Sequence, residues 1–593
     1  MASVIFLAAL ATRLGFLSST PDGAWPHSVC FEGDAPLWVR YAASLQRGEP
    51  FEFDLPIHTP GLAYLLRWTG GASPTGGFVA HKVVWCLLGA ASCVLTWLLA
   101  CRVFTASTWE RAAQSGPRPS GSGVADVRSA APVHPERIAV VAGLLAAASF
   151  ALTVQATSIN NETPYTFLLL LIALLTLRVA ERPTAANLLI LAALHGVAVL
   201  FRAEHTLLFV ALGAYLAWRW RRATAPAAPH GPPGSRLGVV TGLAIIAVGF
   251  FLVPLPWNIR SYRAIQRFNT VEPRPIDYAS ARVPWAPDAV EYVRGLPAFA
   301  REGNFLRLTD LAAAAGVNPV TREFVEHWFR AETGYVPRPM SPWTFVSNQG
   351  PLCFALANHA NTDGGFSTAL LDEIGGPTGL SFGYPPHLQV FQQGYRLGLR
   401  YWFEHRTDAP RLLGRKLAIF GSGLTQGLTP LNVPLGVAGL RRPADQFGAA
   451  ASPPWVWPGV LFALAAIGTW VCLRHRVGSV LLIVVAQKVV IALLFFGYVR
   501  QAASIFPFFA VLVALGLEVA LLAPLLRRRP RLAVMPPILI TAAVAAIIGI
   551  GAFCATRDVR YDVFGGIDHT PQWGPGAFES HQPLTIRQVG PTP

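Results

Sequence analysis

Two carboxylates one residue apart, Glu32 and Asp34, lie between two membrane-length apolar stretches and are followed by Pro36, Trp38 and Tyr41. An ionisable group beside hydrocarbon is costly unless it is paired, solvated or used, so the pair marks a candidate site. Asp34 has two readings. It can accept a proton from a reacting hydroxyl or amine, or it can cap the helix that begins near Pro36. Glu32 is a helper to Asp34 or a solvated loop carboxylate. His58, within His58-Thr59-Pro60-Gly61, can bind an acceptor or carry a proton, although a lone loop histidine more often does neither. Glu162 is a second acidic candidate at the start of an apolar stretch, where a carboxylate also stabilises the helix dipole. Lys82, Arg260, Arg263 and Arg500 fall at the expected outer ends of spans, against the usual distribution of positive charge. Each also has a plainer reading as an interfacial side chain that snorkels.

The elements that must hold these residues follow from composition. With 53% hydrophobic residues, 13% charged residues and a mean hydropathy of +0.43, the 593-residue chain reads as a polytopic membrane protein. About 20 apolar residues span a ~30 Å hydrocarbon core as a helix. Eleven spans are expected, near 2–17, 83–103, 138–156, 163–180, 185–200, 205–220, 237–254, 456–473, 480–498, 502–526 and 533–555. Arginines after the second, fourth and sixth spans and the run Arg527-Arg528-Arg529-Pro530-Arg531 set those loops inside. The N-terminus is then cytoplasmic and the C-terminal tail outside, provided the Gly-rich stretch 412–440 lies at the interface or re-enters rather than crossing.

The net charge of +15 reflects arginines flanking spans, and no basic and aromatic interleaving suggests nucleic acid as a partner. Only Lys82, Lys416 and Lys488 are lysines, which singles each of them out. No Cys-x-x-Cys occurs. The chain divides into 1–256, a membrane module carrying a first outer loop at 18–82; 257–411, a mixed lid; 412–555, an interfacial segment and further spans; and 556–593, an outer tail. Leu37, Trp38, Tyr41, Ala42 and Leu45 give the first loop an amphipathic helix, and Leu62, Leu65 and Leu66 begin another after Pro60-Gly61. In the lid, Asn318-Pro319 predicts a helix start ahead of Phe324, Trp328 and Phe329. Trp343, Asn348, Asn358, His359 and Tyr384 are candidate pocket residues there.

An outer loop that opens on an acidic residue and an amphipathic helix resembles the first outer loop of polyprenyl-phosphate-sugar-dependent glycosyltransferases of the GT-C fold. The nearest group is glycosyltransferase family 39, with the protein mannosyltransferases and aminoarabinose transferases. Asn161-Glu162-Thr163-Pro164, Phe201-Arg202-Ala203-Glu204, Pro256-Trp257-Asn258-Ile259-Arg260-Ser261-Tyr262, and Arg500 followed by Phe506-Pro507 are similar to patches of that family in order and placement. His58-Thr59-Pro60 departs from the consecutive prolines common among relatives, and the lid matches no familiar pattern.

The resemblance implies an all-α, GT-C-like bundle in a bacterial inner membrane with its reacting loops outside. It implies inverting transfer of a sugar from a polyprenyl-phosphate-linked donor to a protein, lipid or glycan acceptor. Asp34 would be the base, and Glu162 would face the cavity. Lys82, Arg260, Arg263 and Arg500 would hold the departing phosphate, by bidentate guanidinium contacts or as a point charge. A divalent cation between Asp34 and Glu162 is a candidate cofactor, though these loops contain no Asp-x-Asp. Arg202 and Glu204 would pair with each other. An O-antigen polymerase or ligase and a polytopic lipid or sugar transporter are the alternatives. The transporter reading lacks the inverted repeats it would need.

Overall fold

The computed structural model describes residues 1–18, 35–48, 55–69, 79–104, 134–157, 159–223, 238–270, 277–279, 281–296, 298–375, 380–382, 384–425, 456–475, 478–497 and 499–522. Among these residues are 21 α-helices and no strand, in agreement with the all-α expectation. The first part comprises α1 (Ala2–Ser18), α2 (Ala35–Arg47), α3 (Gly61–Trp68), α4 (Val79–Val103), α5 (Pro135–Ala148) and α6 (Phe150–Thr157). It continues with α7 (Glu162–Glu181), α8 (Ala185–Phe201), α9 (His205–Ala223) and α10 (Val239–Leu252). The middle part holds α11 (Leu255–Thr270), α12 (Pro287–Gly295), α13 (Ala298–Ala314) and α14 (Arg322–Glu332). It then runs through α15 (Gly350–Ala357), α16 (Ala369–Ile374), α17 (Pro385–Glu404) and α18 (Asp408–Thr425). The chain returns to the bundle with α19 (Val456–His475), α20 (Ser479–Leu494) and α21 (Val499–Leu517), which ends in a π-helical turn, Glu518–Leu522.

Ala80–Val103, Glu162–Glu181 and Arg500–Leu522 are long and apolar enough to cross a membrane, and two bent pairs raise the number to five if each pair is one span. Ala2–Gly15, Ala185–Phe201, Pro458–Arg474 and Ser479–Leu494 are shorter apolar helices. The expected stretch 138–156 is not one straight helix. It bends by 64° at Ser149, whose extended backbone ends α5 and whose hydroxyl accepts a hydrogen bond from Leu152 N, capping α6. The chain bends again by 48° between α10 and α11, at Pro254 and Pro256, where helical hydrogen bonds are lost. The expected span 533–555 and tail 556–593 lie outside the described residues, as do residues 426–440.

The amphipathic helix of the first loop forms at Ala35–Arg47. Trp38, Val39, Tyr41 and Ala42 are buried in one apolar core with Leu62, Ala63 and Leu66 of α3. Side-chain size sets the closest helix contact. Gly468 on α19 lies against the Leu512 carbonyl of α21, and Gly516 on α21 lies against the Leu464 carbonyl of α19. Two absent side chains let these backbones meet, as small residues do at membrane helix crossings. At the end of α21, Arg137 bonds to the fully buried Glu518 at 2.6 Å, tying that end to α5.

The middle part folds around two apolar clusters. One joins Leu55 and Ile57 of the first loop to Ile265, Leu352, Leu388, Phe391 and Phe496. The other gathers Trp285, Val293, Leu308, Val325 and Phe329. The helix expected after Asn318-Pro319 does not start there. Val320 exchanges backbone hydrogen bonds with Pro284 and Ala286, which keeps it extended, so the first turn waits for Thr321. Thr321 is the cap, its hydroxyl accepting from Phe324 N at 3.3 Å. Lys416 joins the two parts: its ammonium donates to Asn358 at 2.7 Å and to the Leu493 carbonyl at 3.2 Å.

The glycine contact has a measurable consequence. Gly516→Ala should cost about 1–3 kcal/mol by overpacking. Gly213→Ala, at a helical position with open space around it, should stabilise by about 0.5–1 kcal/mol. Thermal unfolding of the purified protein distinguishes them by opposite shifts in Tm.

Candidate functional site

Five elements converge on a buried ion network. Glu162 is the first residue of α7 and 2% exposed, so its carboxylate sits at the positive end of the helix dipole. Arg202, in the turn between α8 and α9, bonds to Glu162 through one guanidinium nitrogen and to Glu204 at 3.0 Å through the other. Arg500, at the start of α21, approaches the same Glu162 oxygen at 3.5 Å. Lys488, fully buried on α20, donates to Glu204 at 3.1 Å. Its ammonium also sits 4.8 Å from the centre of the Tyr165 ring, a cation–π distance. Tyr165 OH hydrogen-bonds His205 at 3.1 Å, and His205 hydrogen-bonds His195 at 2.8 Å, extending the network along α7, α8 and α9.

Burial pushes the Glu204 carboxyl upward, but Lys488 and Arg202 outweigh it and hold the group down to about 2. Burial acts against the Arg202 charge as well. Glu162 and Glu204 more than compensate, and the guanidinium is held above its ordinary value. The Arg202–Glu204 pair is therefore ionised throughout the neutral range.

The first loop is fastened to this network. Thr59 donates to the Phe201 carbonyl at 2.7 Å, immediately before Arg202. Gly61 allows the approach, since a Cβ there would meet the Leu200 carbonyl oxygen at 2.7 Å. His58 is half-buried, hydrogen-bonded to Tyr41 OH at 3.2 Å and edge-on to Trp38. Lys82 is fully buried on α4. It shares a helix face with Trp85, whose indole donates to the Asn160 carbonyl at 3.1 Å, just before Glu162.

A second strap comes from the middle part of the chain. Val346 has φ of 64°, a left-handed conformation that a β-branched residue adopts only under restraint. Trp257 donates to its carbonyl at 2.7 Å, and its amide donates to the Asn258 side chain at 3.0 Å. Ser347 then donates to the Ile57 carbonyl, and Asn348 N donates to the Pro56 carbonyl at 2.9 Å. Trp257-Asn258 thus positions a loop directly over the segment that carries His58.

The structure brings Glu162, Arg500 and the Arg202–Glu204 pair together, with Lys82 and His58 on the neighbouring elements. Arg260 is half-buried with its guanidinium 4.8 Å from the Trp257 ring centre, and Arg263, on the same helix, is exposed. Among the described residues, neither enters the ion network. Glu32 and Asp34 lie outside the described residues. Arg202 does more than pair with Glu204, because it also grips Glu162. Lys488 is the residue to which sequence reasoning gave no role, although a lysine well inside an apolar stretch is itself a signal. Asn358 is structural, shared between Trp402 and Lys416, and Trp343 is exposed. Among the described residues no group of three His, Cys, Asp or Glu side chains could hold a metal ion. Of the two carboxylates considered for a divalent cation, Glu162 is engaged by two arginines and Asp34 lies outside the described residues.

Residues 127–249 match the family model described as dolichyl-phosphate-mannose-protein mannosyltransferase. The resemblance read from the short patches is borne out over those residues, which include Glu162, Arg202 and Glu204. No curated protein sequence matches significantly. Among solved structures, the chain is similar to the oligosaccharyltransferase AglB of Archaeoglobus fulgidus in complex with an inhibitory peptide and a dolichol-phosphate, at 15% identity and a TM-score of 0.38. The apo form of the Archaeoglobus fulgidus oligosaccharyltransferase gives 16% identity and a TM-score of 0.39. Each alignment covers 100% of this chain, which spans only 60% of the length of those proteins.

The network predicts its own energetics. Glu204→Gln leaves Lys488 and Arg202 short of a counter-charge, and Lys488→Met leaves Glu204 with one partner fewer. Each single variant should lower the Tm, and the double variant should recover about 1–3 kcal/mol relative to their sum. Because the folded carboxyl sits below its ordinary 4.5, its contribution is complete above that value and is lost as pH falls toward 2. The Tm deficit of Glu204→Gln should therefore be constant from pH 5 to 8, checked by thermal unfolding across that range.

Proposed function

We infer that the chain is a membrane glycosyltransferase that moves a sugar from a polyprenyl-phosphate-linked donor to an acceptor at the outer face of a bacterial inner membrane. The observation that carries this reading is the convergence of Arg202 and Arg500 on buried Glu162, beside a first loop stitched to the same turn by Thr59. Guanidinium groups suit phosphate oxygens through paired N–H donors. Glu162 keeps the two arginines from repelling each other and holds them at one place. The family match over 127–249 supports the same chemistry.

In the reaction, Asp34 takes the proton of the acceptor hydroxyl or amine as that atom attacks the anomeric carbon. The bond from the anomeric carbon to the phosphate oxygen breaks on the opposite face, inverting the centre. Its electron pair leaves with the polyprenyl phosphate. Arg500 and Arg202 stabilise the negative charge that grows on that phosphate, together with Lys82 on α4 and Arg260 and Arg263 on α11. Charge stabilisation of this kind, placed before the reaction begins, is commonly the largest catalytic contribution. His58, hydrogen-bonded to Tyr41 and edge-on to Trp38, contacts the acceptor, and Glu32 assists Asp34.

Purified protein in lipid should release polyprenyl phosphate from a polyprenyl-phospho-sugar. Asp34→Asn, which retains a capping side chain, should lower the rate by about 10²–10⁴-fold, the usual weight of a general base. Full activity in that variant would remove Asp34 from the role. Arg500→Gln should impair donor use far more than it lowers protein yield, and equal losses of both would mark Arg500 as a folding residue.

A further inference from the structure

A cavity of about 340 Å³ opens in the lid, between α14, the segment 334–338 and α17. Arg330, Arg338, Arg396 and Arg400 line it together with Gln389 and Gln393, and no carboxylate is among the lining residues. The volume falls at the lower end of small-ligand pockets, which run from about 300 to 1,000 Å³. The ion network uses none of these side chains.

The wall is built from one stripe of one helix. Gln389, Gln393, Arg396 and Arg400 recur at helical spacing on α17, so they share a face. Arginines four residues apart on a helix repel one another. Neighbours outside the cavity relieve only part of this charge: Glu404 pairs with Arg400 at 2.7 Å and Glu326 with Arg330 at 3.1 Å. Among the described residues, neither Arg338 nor Arg396 forms an ion pair. The backbone departs from helical geometry at Gln393, with φ −115° and ψ 15°, in the middle of the wall. From behind, Gly394 is pressed against the Pro351 carbonyl of α15. Across the cavity, Gln392 donates to the Arg338 carbonyl at 2.8 Å and accepts from Tyr335 OH, fixing the opposite side to α17.

We propose that this cavity binds an anionic saccharide, with the guanidinium groups on its phosphate or carboxylate oxygens and the Gln389 and Gln393 amides on its hydroxyls. Guanidinium forks match both oxyanions, and an amide both donates to and accepts from a hydroxyl. Among the lining residues only Val336 and Leu397 are aliphatic, so charged and amide side chains dominate the wall. The site stands independently of the transferase reading, because its ligand need not react.

The test is binding, measured by isothermal titration of the full chain in phosphatidylcholine nanodiscs. The probes are glucose 1,6-bisphosphate and an oligogalacturonate, with maltose as the neutral control. At least one charged sugar should bind and maltose should not. Which charged sugar binds more tightly assigns the oxyanion. Arg338→Gln/Arg396→Gln should weaken binding by about tenfold or more, since a hydrogen bond to a charged group contributes about 1.5–3 kcal/mol. Arg338→Lys/Arg396→Lys should fall between that variant and the wild type. A charge-matched change at exposed positions outside the cavity, Arg406→Gln/Arg411→Gln, should leave affinity unchanged. Unchanged Tm values would show that the variants fold. Equal weakening by both glutamine pairs, or no binding of either charged sugar, would overturn the proposal. Binding to phosphatidylglycerol vesicles but to neither sugar would overturn it as well, by naming a lipid head group instead.

Discussion

Glu162, held at a helix N-terminus between two arginines, is the constraint on which the candidate site depends. A carboxylate that is 2% exposed is tolerable only when its charge is matched, and here the match comes from two distant parts of the chain. Arg202 arrives from the turn after α8 and Arg500 from the start of α21, so the pairing requires α7, α8 and α21 to end at one level. Glu204 then brings in Lys488 from α20. Removing one partner of a buried pair costs more than the pair contributes, which makes the network a strong determinant of how these helices align.

The surrounding straps have the same logic at lower charge. Thr59 ties the first loop to Phe201, and the restrained Val346 loop ties the lid to Pro56 and Ile57. Trp257 and Asn258, which in sequence look like a motif in search of a ligand, spend their polar groups on Val346. The motif acts by positioning, and its placement explains why Arg260 lies near the lid strap while the ion network forms without it. Lys416, at the junction of Asn358 with the end of α20, couples the lid to the helix that carries Lys488.

Much of this was legible in the sequence, because apolar period and charge placement are local. Each expected span among the described residues falls on helix, one of them, 138–156, on two bent at Ser149, and the amphipathic face of α2 is where Trp38 and Tyr41 placed it. Glu162, Arg202, Glu204 and Arg500 were singled out by position. What could not be read was which of them meet: a contact across 338 residues, as between Glu162 and Arg500, leaves no periodic trace. The bend at Ser149 was hidden because both flanking segments are equally apolar. The start of α14 was misplaced because Asn318-Pro319 carries a local signal that the pairing of Val320 with Pro284 and Ala286 overrides. Lys488 was visible as a charge in an apolar stretch, but its counter-charge on another element was not.

The central claim is that the arginine-gripped carboxylate marks the phosphate site of a lipid-linked donor. A structure of the full chain in lipid with polyprenyl phosphate bound tests it most directly. The account predicts phosphate density against the Arg500 and Arg202 guanidinium groups, beside Glu162 and within reach of the first loop. Phosphate bound elsewhere, with the Glu162 network closed and unchanged, would contradict it.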